Sequence, residues 1–566
     1  MLKSCDQLGV FIALLLSGAV AVAQDTGAPL HNPAYHMVDR LSILSDSLCV
    51  IRPELKAFAR RDLAEYAAAL DSAETPWSRL DKADLEYMLR DNNEWVDSAR
   101  MQRNNKPLLK YFYQTPANWI QVDVPHFYLR VNPMLNLVAG NERDNDLFLY
   151  ENQRGVELRG GVDEVVTFYT NVVESQARYP DYVTDRIEQY KAVPRAGFYK
   201  AFKKDSKPVE KAYDFNVANA YIGVQATKHI GIQFGHSKHF IGNGYRSLFL
   251  SDFGNYTFFL KFNTRVWKFQ YQNLFMELSP TTPAAFPGGD DLLPKKYTAM
   301  HYLNYQVNPR LAFGFFEATV FDRSEQFELQ YLNPIIFYRT VEGMLGSPDN
   351  VLLGGDMRWN FANRFQFYGQ FFLDELVVSK LIGADQKGWW GNKYGLQGGL
   401  KYINAFGVDH LDLQGELNLV RPYTYAHFDS TDSYTHYNQP LAHPLFANFI
   451  EYIGIARYQP TPKLSLFGRI VHARTGDDPP NENWGTNPLR DYDSRVMDYG
   501  NEIGQGIGAD INLAALDVSY QFYHNMFIDL KALYRRKNSE EDRLDQETLY
   551  FGAALRVNFW QPDLSF

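Results

Sequence analysis

The sequence predicts an all-β transmembrane barrel of about 18 antiparallel strands with a small three-helix bundle at its N-terminus. Three observations lead there. From Pro116 onward, apolar and polar residues alternate with a period of two, in segments of roughly ten residues, the length a tilted membrane strand requires. The connections between these segments alternate short and long along the chain. Aromatic residues make up 15% of the chain, including 37 Tyr and 40 Phe, an excess that girdles at two membrane interfaces account for.

The last clear segment sets the pattern. Phe551, Ala553, Leu555, Val557 and Phe559 fall on one side of an extended strand, and Gly552, Ala554, Arg556 and Asn558 on the other. The chain ends shortly after on an aromatic, Phe566. In 411–419 the leucines alternate with Asp412, Gln414, Glu416 and Asn418, which are expected to face a wet lumen. Phe365, Phe367, Phe371 and Leu373 alternate likewise with Gln366, Tyr368, Gln370 and Asp374, and Met357, Trp359 and Phe361 with Asp356, Arg358 and Asn360. Short connections are expected at Gly160-Gly161, Thr227-Lys228, Asn263–Arg265, Asn308-Pro309, Ala362-Asn363, Pro460-Thr461 and Tyr523–Asn525. Long ones are expected near 176–212, 241–254, 279–297, 323–351, 379–391, 422–448 and 474–507. Outer-membrane barrels have tight periplasmic turns and long outer loops, whereas a soluble sandwich has no reason to gather its long loops at one end. This parity leaves both termini periplasmic.

Residues 1–23 read as a secretory signal peptide: Lys3, an apolar run from Leu8 to Val22, and an Ala21-Val22-Ala23 exit, with cleavage expected before Gln24. The run is shorter than the ~20 residues of a spanning helix. Cys5 precedes the run where a lipoprotein cysteine would follow it, and the mature chain keeps Cys49 alone, so no disulfide framework within the chain is expected. Residues 30–100 carry helical periodicity. Asn32 and Pro33 cap a first helix with Val38, Leu41, Leu44 and Leu48; Pro53 opens a second with Leu55, Phe58, Leu63, Tyr66 and Leu70; a third starts near Asp81 with Leu85, Met88 and Leu89. Such short helices are unstable singly, so a packed periplasmic plug is expected, followed by the barrel at 115–566. A net charge of −10 with no basic run argues against nucleic acid as a partner.

One stretch, His239-Phe240-Ile241-Gly242-Asn243-Gly244-Tyr245-Arg246-Ser247-Leu248-Phe249-Leu250-Ser251, resembles the capsule-assembly Wzi family of outer-membrane proteins, closer to the branch that includes the gliding-motility protein RemB. Tyr331–Pro334 with Phe337–Arg339, Gly346–Asn350, Leu373–Glu375 and Arg421–Tyr425 match as well, and the similarity covers most of residues 30–566. The resemblance implies an eighteen-stranded barrel whose helical bundle closes the periplasmic mouth. It also implies a role in binding or organising capsular or surface polysaccharide at the cell exterior, or a role in gliding.

The candidates for polysaccharide binding or for luminal loops are Tyr245, Arg246, Tyr331, Asn333, Tyr338, Arg339, Asp349, Asp374, Tyr423 and Tyr425. Tyr245 and Arg246 offer a sugar-stacking ring and a charged donor; the alternative, and the expectation, is that Gly242 and Gly244 fold the loop into the lumen, with Arg246 paired to a luminal carboxylate. The aromatic loop 328–349 is expected to fold inward as a constriction, with direct ligand contact as the alternative. Asp374 and Glu375 are adjacent, so on a strand they point to opposite faces and cannot flank one glycosidic bond. Gly242-x-Gly244 lies in no strand–turn–helix unit, so no nucleotide cofactor is expected. His427, His436 and His443 lack the spacing of metal ligands. Exposed aromatics among acidic residues, including Trp389, Trp390 and Trp484, suit sugar stacking and equally suit interfacial anchoring. The expected function is therefore a non-enzymatic, lectin-like surface barrel with surface polysaccharide and outer-membrane lipid as partners. The alternatives are a component of gliding, secretion or adhesin machinery, and a channel.

Overall fold

The computed structural model describes residues 26–45, 51–97, 109–163, 165–285, 292–323, 326–346, 349–382, 387–560 and 564–566. The signal peptide expected at 1–23, together with Leu48 and Cys49, lies outside them.

Eighteen antiparallel strands close into one ring. In chain order they are β1 Phe127–Glu142, β2 Leu149–Val162, β3 Val166–Arg178, β4 Lys207–Gln225, β5 Ile230–Ser237 and β6 Thr257–Val266. Then come β7 Phe269–Leu278, β8 Lys296–Asn308, β9 Leu311–Phe321, β10 Asn350–Phe361, β11 Phe365–Glu375 and β12 Lys393–Tyr402. The ring ends with β13 Leu411–Val420, β14 Phe449–Thr461, β15 Leu464–Asp477, β16 Ile507–Tyr523, β17 Met526–Ser539 and β18 Gln546–Val557. Each strand pairs with the next, and β18 closes on β1 with Leu555 opposite Leu137. Closure removes the exposed edges of the sheet. Two short strands extend it: Ile120–Val124 along the stretch of β1 that β18 does not reach, and Lys200–Lys204 as a hairpin with the start of β4.

The period of two decides which side chains face out. Phe367, Phe371, Leu396, Leu400, Leu417, Leu516, Leu530 and Phe551 are exposed on the outer wall, while Asp356, Arg358, Asn360, Asp412, Gln414, Glu416 and Asn418 are buried inside. At the short-turn end, outward rings form a girdle. Phe269 lies 4.8 Å from Tyr305, Trp359 4.8 Å from Phe361, and Phe365 4.5 Å from Tyr402.

Several boundaries differ from the sequence pattern. Gly160 and Gly161 lie inside β2, and the turn expected at Asn263–Arg265 sits at Trp267-Lys268, because β6 and β7 stay paired down to Val266 and Phe269. Phe559 does not continue the outer row of β18. The strand ends at Val557, and Phe559 turns inward against Met134 and Val173.

Three helices, α1 Ala34–Leu44, α2 Arg60–Ser72 and α3 Arg79–Asp91, share one apolar core at the short-turn end of the lumen. Asn32 Oδ1 accepts from the Ala34 amide at 2.9 Å, and Ser78 with Asp81 forms a reciprocal capping box on α3. The second helix starts at Arg60, later than expected from Pro53. The stretch before it is extended, with Leu55 and Lys56 pairing with Ile241 and Phe240, because the segment after β5 descends into the lumen to meet it. The barrel wall grips the helices and the stretches flanking them through polar pairs: Asp412 with Arg40 at 2.6 Å, Asn525 with Tyr87 at 2.7 Å, Arg358 with Glu54 at 2.7 Å and Arg159 with Glu94 at 2.9 Å. Above them, residues 239–251 and 421–448 bury an apolar core inside the ring. Phe249 stacks on Phe316 at 4.8 Å and lies over Gly354, where an added Cβ would come within 2.4 Å of its ring.

Candidate functional site

Residues 239–251 occupy the lumen. Gly242 adopts φ +143°, a conformation side-chain-bearing residues rarely take. The Tyr245 and Arg246 amides donate to the two oxygens of Glu416, at 2.6 and 3.0 Å. The Arg246 guanidinium pairs with Glu451 at 3.2 Å and donates to the Ser565 carbonyl. His443 from the long loop after β13 reaches the same Glu451 at 2.7 Å. Arg246 is thus held by a luminal carboxylate, away from the exterior.

Beside this segment lies a luminal chamber of about 720 Å³. His31, His36, Asp39 and Lys56 line it from below, His239, Asn243 and Tyr245 from one side, and Lys261, Arg457, Asp517 and Asp529 from the strands. Asp39 pairs with Lys401 at 2.7 Å and Asp517 with Arg469 at 2.7 Å. Burial would raise the Asp39 carboxyl, but the Lys401 and Lys56 ammonium groups together outweigh it and hold the group below its usual range. Burial pushes Lys56 down to about 8, against the pull of Asp39. The chamber is walled by charges of both signs, suited to holding ordered water or a small polar solute.

Tyr423 and Tyr425 are buried parts of the scaffold. The Tyr423 hydroxyl donates to the Asn483 carbonyl at 2.9 Å and that of Tyr425 to the Leu248 carbonyl at 3.0 Å. Tyr425 points inward because the loop after β13 folds down into the mouth of the barrel, taking Tyr434 and His436 with it, whereas Tyr423 packs beneath residues 483–485 and edge-on to Trp390 at 6.3 Å. Asp374 continues the inward row of β11, accepting from the Tyr425 amide at 2.8 Å and pairing with Lys393 at 2.7 Å. A register shift between Leu373 and Glu375 brings the Glu375 carboxylate to 3.6 Å from the same Lys393, so the two acids converge on one cation instead of pointing strictly apart.

The loop between β9 and β10 overturns an expectation. Tyr331 and Tyr338 pack on Phe275, Tyr297, Ala299 and Phe321. These residues share the outward face with the exposed Phe313 and Phe315, whereas the neighbouring Phe316 and Leu274 face the luminal core. The loop therefore folds over the outside of the wall and forms no constriction. The physical reason is a polar strip on that outer face, Asn273, His301 and Glu317, which needs a partner and finds it in the loop. Asp349 receives both Arg323 nitrogens, at 2.8 and 2.6 Å, and the Tyr331 hydroxyl at 2.5 Å. The Asn333 side chain accepts from the Ile335 amide at 3.2 Å, and Arg339 is exposed and paired with Glu342 at 2.5 Å.

A second group of aromatics gathers at the long-loop end, with Tyr499 and Phe428 exposed and Trp389, Trp390, Trp484 and Tyr492 half-buried. Residues 387–392 lie against 498–501: the Trp390 amide donates to the Asp498 carbonyl at 2.9 Å and the Asn501 amide to the Gly388 carbonyl at 3.0 Å. This docking sets Trp389 at 5.0 Å from Tyr499 and Trp390 at 4.8 Å from Tyr492, with Phe428 at 6.4 Å from Tyr492. The Arg495 guanidinium lies 4.1 Å over Trp390 and is held by Asp498 at 2.7 Å and Asp493 at 3.0 Å. Burial pushes the Tyr492 hydroxyl up to about 12, so it stays a neutral donor. Trp484 stands nearby, its indole N–H donating to Glu482 at 2.7 Å. The patch therefore combines ring faces with carboxylates and a guanidinium, the groups that recognise sugar rings and their hydroxyls. Sequence reasoning named its tryptophans but missed Tyr492, Arg495, Tyr499 and Phe428. The run Asp491-Tyr492-Asp493, repeating the aromatic–acidic texture, was the available signal.

No family model and no curated protein matches the chain. Among solved structures the chain is similar to Wzi, an outer membrane protein involved in group 1 capsule assembly in Escherichia coli and described as a carbohydrate binding beta-barrel. Identity is 13%, 96% of this chain and 100% of that one are covered, and the TM-score is 0.55. Pseudomonas aeruginosa OprD shares 9% identity over 76% of this chain and 94% of its own, with a TM-score of 0.42. The likeness to Wzi places the fold among outer-membrane barrels of this architecture.

Proposed function

We propose that the chain is a non-enzymatic outer-membrane barrel that binds or organises surface polysaccharide at the cell exterior. The observation that carries this reading is the patch of Trp389, Trp390, Tyr492 and Tyr499, set among Asp493, Arg495 and Asp498 at the long-loop end. The fold it shares with a carbohydrate-binding barrel supports the same reading. In this arrangement the short turns and the N-terminal helices face the periplasm, and the apolar outer wall meets lipid. The packed lumen favours a closed barrel over a conducting one. A role in gliding, secretion or adhesin machinery rests on sequence resemblance alone.

Binding of the purified full chain to a glycan array, followed by titration of the best ligand against Trp390→Ala and Tyr499→Ala, tests the proposal. Loss of one stacking ring is expected to weaken binding by about tenfold, ~1.4 kcal/mol. No glycan binding by the intact chain, together with unchanged surface polysaccharide in a deletion strain, overturns it.

A further inference from the structure

The segment joining β9 to β10 runs along the outer wall of the barrel. It contains a short 3-10 helix at Leu329–Leu332 and an α-helix, α4, at Tyr338–Leu345. Its inner side meets the polar strip halfway along the strands. The Pro334 carbonyl accepts from the Tyr271 hydroxyl at 2.6 Å and from Asn273 Nδ2 at 3.1 Å. Glu317 accepts from the Tyr338 amide at the start of α4, at 2.8 Å, and the Tyr338 ring lies 4.1 Å from that of His301. Glu317 and His301, 3.6 Å apart, are nearly sealed from solvent at 1% and 5% exposure.

The opposite side of the segment is open and largely apolar, with Gln330, Asn333 and Thr340 exposed among larger apolar side chains. Leu329 is 73% exposed, Ile335 83%, Phe337 61% and Met344 70%. Phe337 packs edge-on against Phe315 of the wall at 6.3 Å, so this surface runs without a break into the exposed row of β9.

From this we infer that residues 326–346 form a strap lying in the hydrocarbon layer of the membrane, with lipid acyl chains as the partner of its outer face. The inference rests on the membrane reading proposed above. Irregular backbone is excluded from hydrocarbon unless its polar groups are satisfied locally. Asn273, Tyr271 and Glu317 supply that satisfaction at the turn and at the first amide of α4, while the strap in turn screens from lipid a carboxylate and an imidazole that the wall would otherwise present to it. Wall and strap thus solve one another's problem. Arg339, the exposed charge on α4, is neutralised by Glu342 one turn on. This long aromatic loop therefore widens the lipid-facing perimeter on the side of β7–β9 instead of reaching out to the exterior.

The test is site-directed spin labelling of the full chain, with Cys49→Ala, reconstituted in phosphatidylcholine–phosphatidylglycerol vesicles. Labels at Ile335→Cys, Phe337→Cys and Met344→Cys are compared with Leu396→Cys and Ile528→Cys on the bare wall and with Thr431→Cys in a long loop. Folding of each variant is checked by the heat-dependent gel mobility of barrels. The expected result is oxygen collision at the strap positions like that on the wall, with loss of the collision with a water-soluble nickel chelate seen at Thr431→Cys. Chelate collision at all three strap positions while the wall controls stay protected overturns the strap and leaves the membrane reading standing. So does protection from both reagents, which would mean a protein partner covers this face. Chelate collision at Leu396→Cys and Ile528→Cys would instead overturn the membrane reading itself.

Discussion

Arg40 on α1 and Asp412 on β13, 372 residues apart in the chain, meet at 2.6 Å inside the barrel with both side chains almost wholly excluded from solvent. Asp412 also accepts from His36 and from the Asn404 amide, and Arg40 reaches Asp81 at 3.1 Å and Asn404 at 3.2 Å. The pair is the tightest charged link between the helices and the wall, and it sits in a network with few unsatisfied members.

Removing the acid leaves a buried guanidinium short of its main counter-charge, a change that destabilises by about 3–5 kcal/mol. Asp412→Ala is therefore expected to loosen α1 while the strands hold. Hydrogen exchange would read this as lost protection in 34–44 with little change in β13. Arg40→Met should do less, because Asp412 keeps His36 and the Asn404 amide. Equal effects of the two variants would contradict this account of the link.

The helices should also detach in acid. Burial alone would raise the Asp91 carboxyl, but the Arg60 guanidinium at 3.0 Å outweighs it, with help from His524, and holds the group well below the usual carboxylate range. A carboxyl depressed in the folded state stabilises it above the unfolded value of about 3.9, and that contribution fades as the pH falls below it. Protection of the α3 amides is expected to decline gradually as the pH falls from 4 to 3, ahead of the strands, and Asp91→Asn at pH 7 should cost more protection than that acid step, because the folded group is still ionised at pH 3. Protection unchanged at pH 3 would count against the argument.

Tyr423 and Tyr425 separate scaffold from site. Each buried hydroxyl makes one hydrogen bond to a backbone carbonyl. Tyr423→Phe and Tyr425→Phe are expected to lower stability by about 1 kcal/mol each. Glycan affinity should stay unchanged in Tyr425→Phe, in contrast to Trp390→Ala. If Tyr425→Phe abolished binding while still folded, the exterior patch would not be the binding surface.

These contrasts mark what a single sequence reveals. The strands were legible because outward Phe367, Phe371 and Leu417 and inward Gln366, Gln370 and Glu416 obey a strict period of two, and a one-residue slip would turn every one of them to the wrong medium. Loops carry no such constraint. The same aromatic content sent Tyr425 into the lumen, Tyr338 onto the outer wall and Tyr499 into solvent. What decides among these fates is the wall each loop meets, and that depends on strands far off in sequence. The polar triplet Asn273, His301 and Glu317 was visible as breaks in three outward rows, but only the pairing of β7, β8 and β9 brings the three into one strip. Arg246 fared better, because its neighbours Gly242 and Gly244 already indicated a tightly folded segment.

The lumen is closed from two directions, and that bears on conductance. Eighteen strands enclose enough width for an aqueous channel, so whatever current passes is set by the filling. The helices and the extended stretch before α2 hold the short-turn end through Arg40, Tyr87 and Glu54. Independently, Leu248 and Phe249 fill the middle against Phe316 and Phe372, pinned by Tyr425 and by the Gln370 side chain, which accepts from the Leu248 amide at 2.8 Å. Deleting 30–100 should therefore raise conductance in planar bilayers only partly. Deleting 241–250 as well should open the ring to large, stable steps. Full opening on the first deletion alone would show that the inner segment depends on the helices for its place, through the pairing of Leu55 and Lys56 with Ile241 and Phe240.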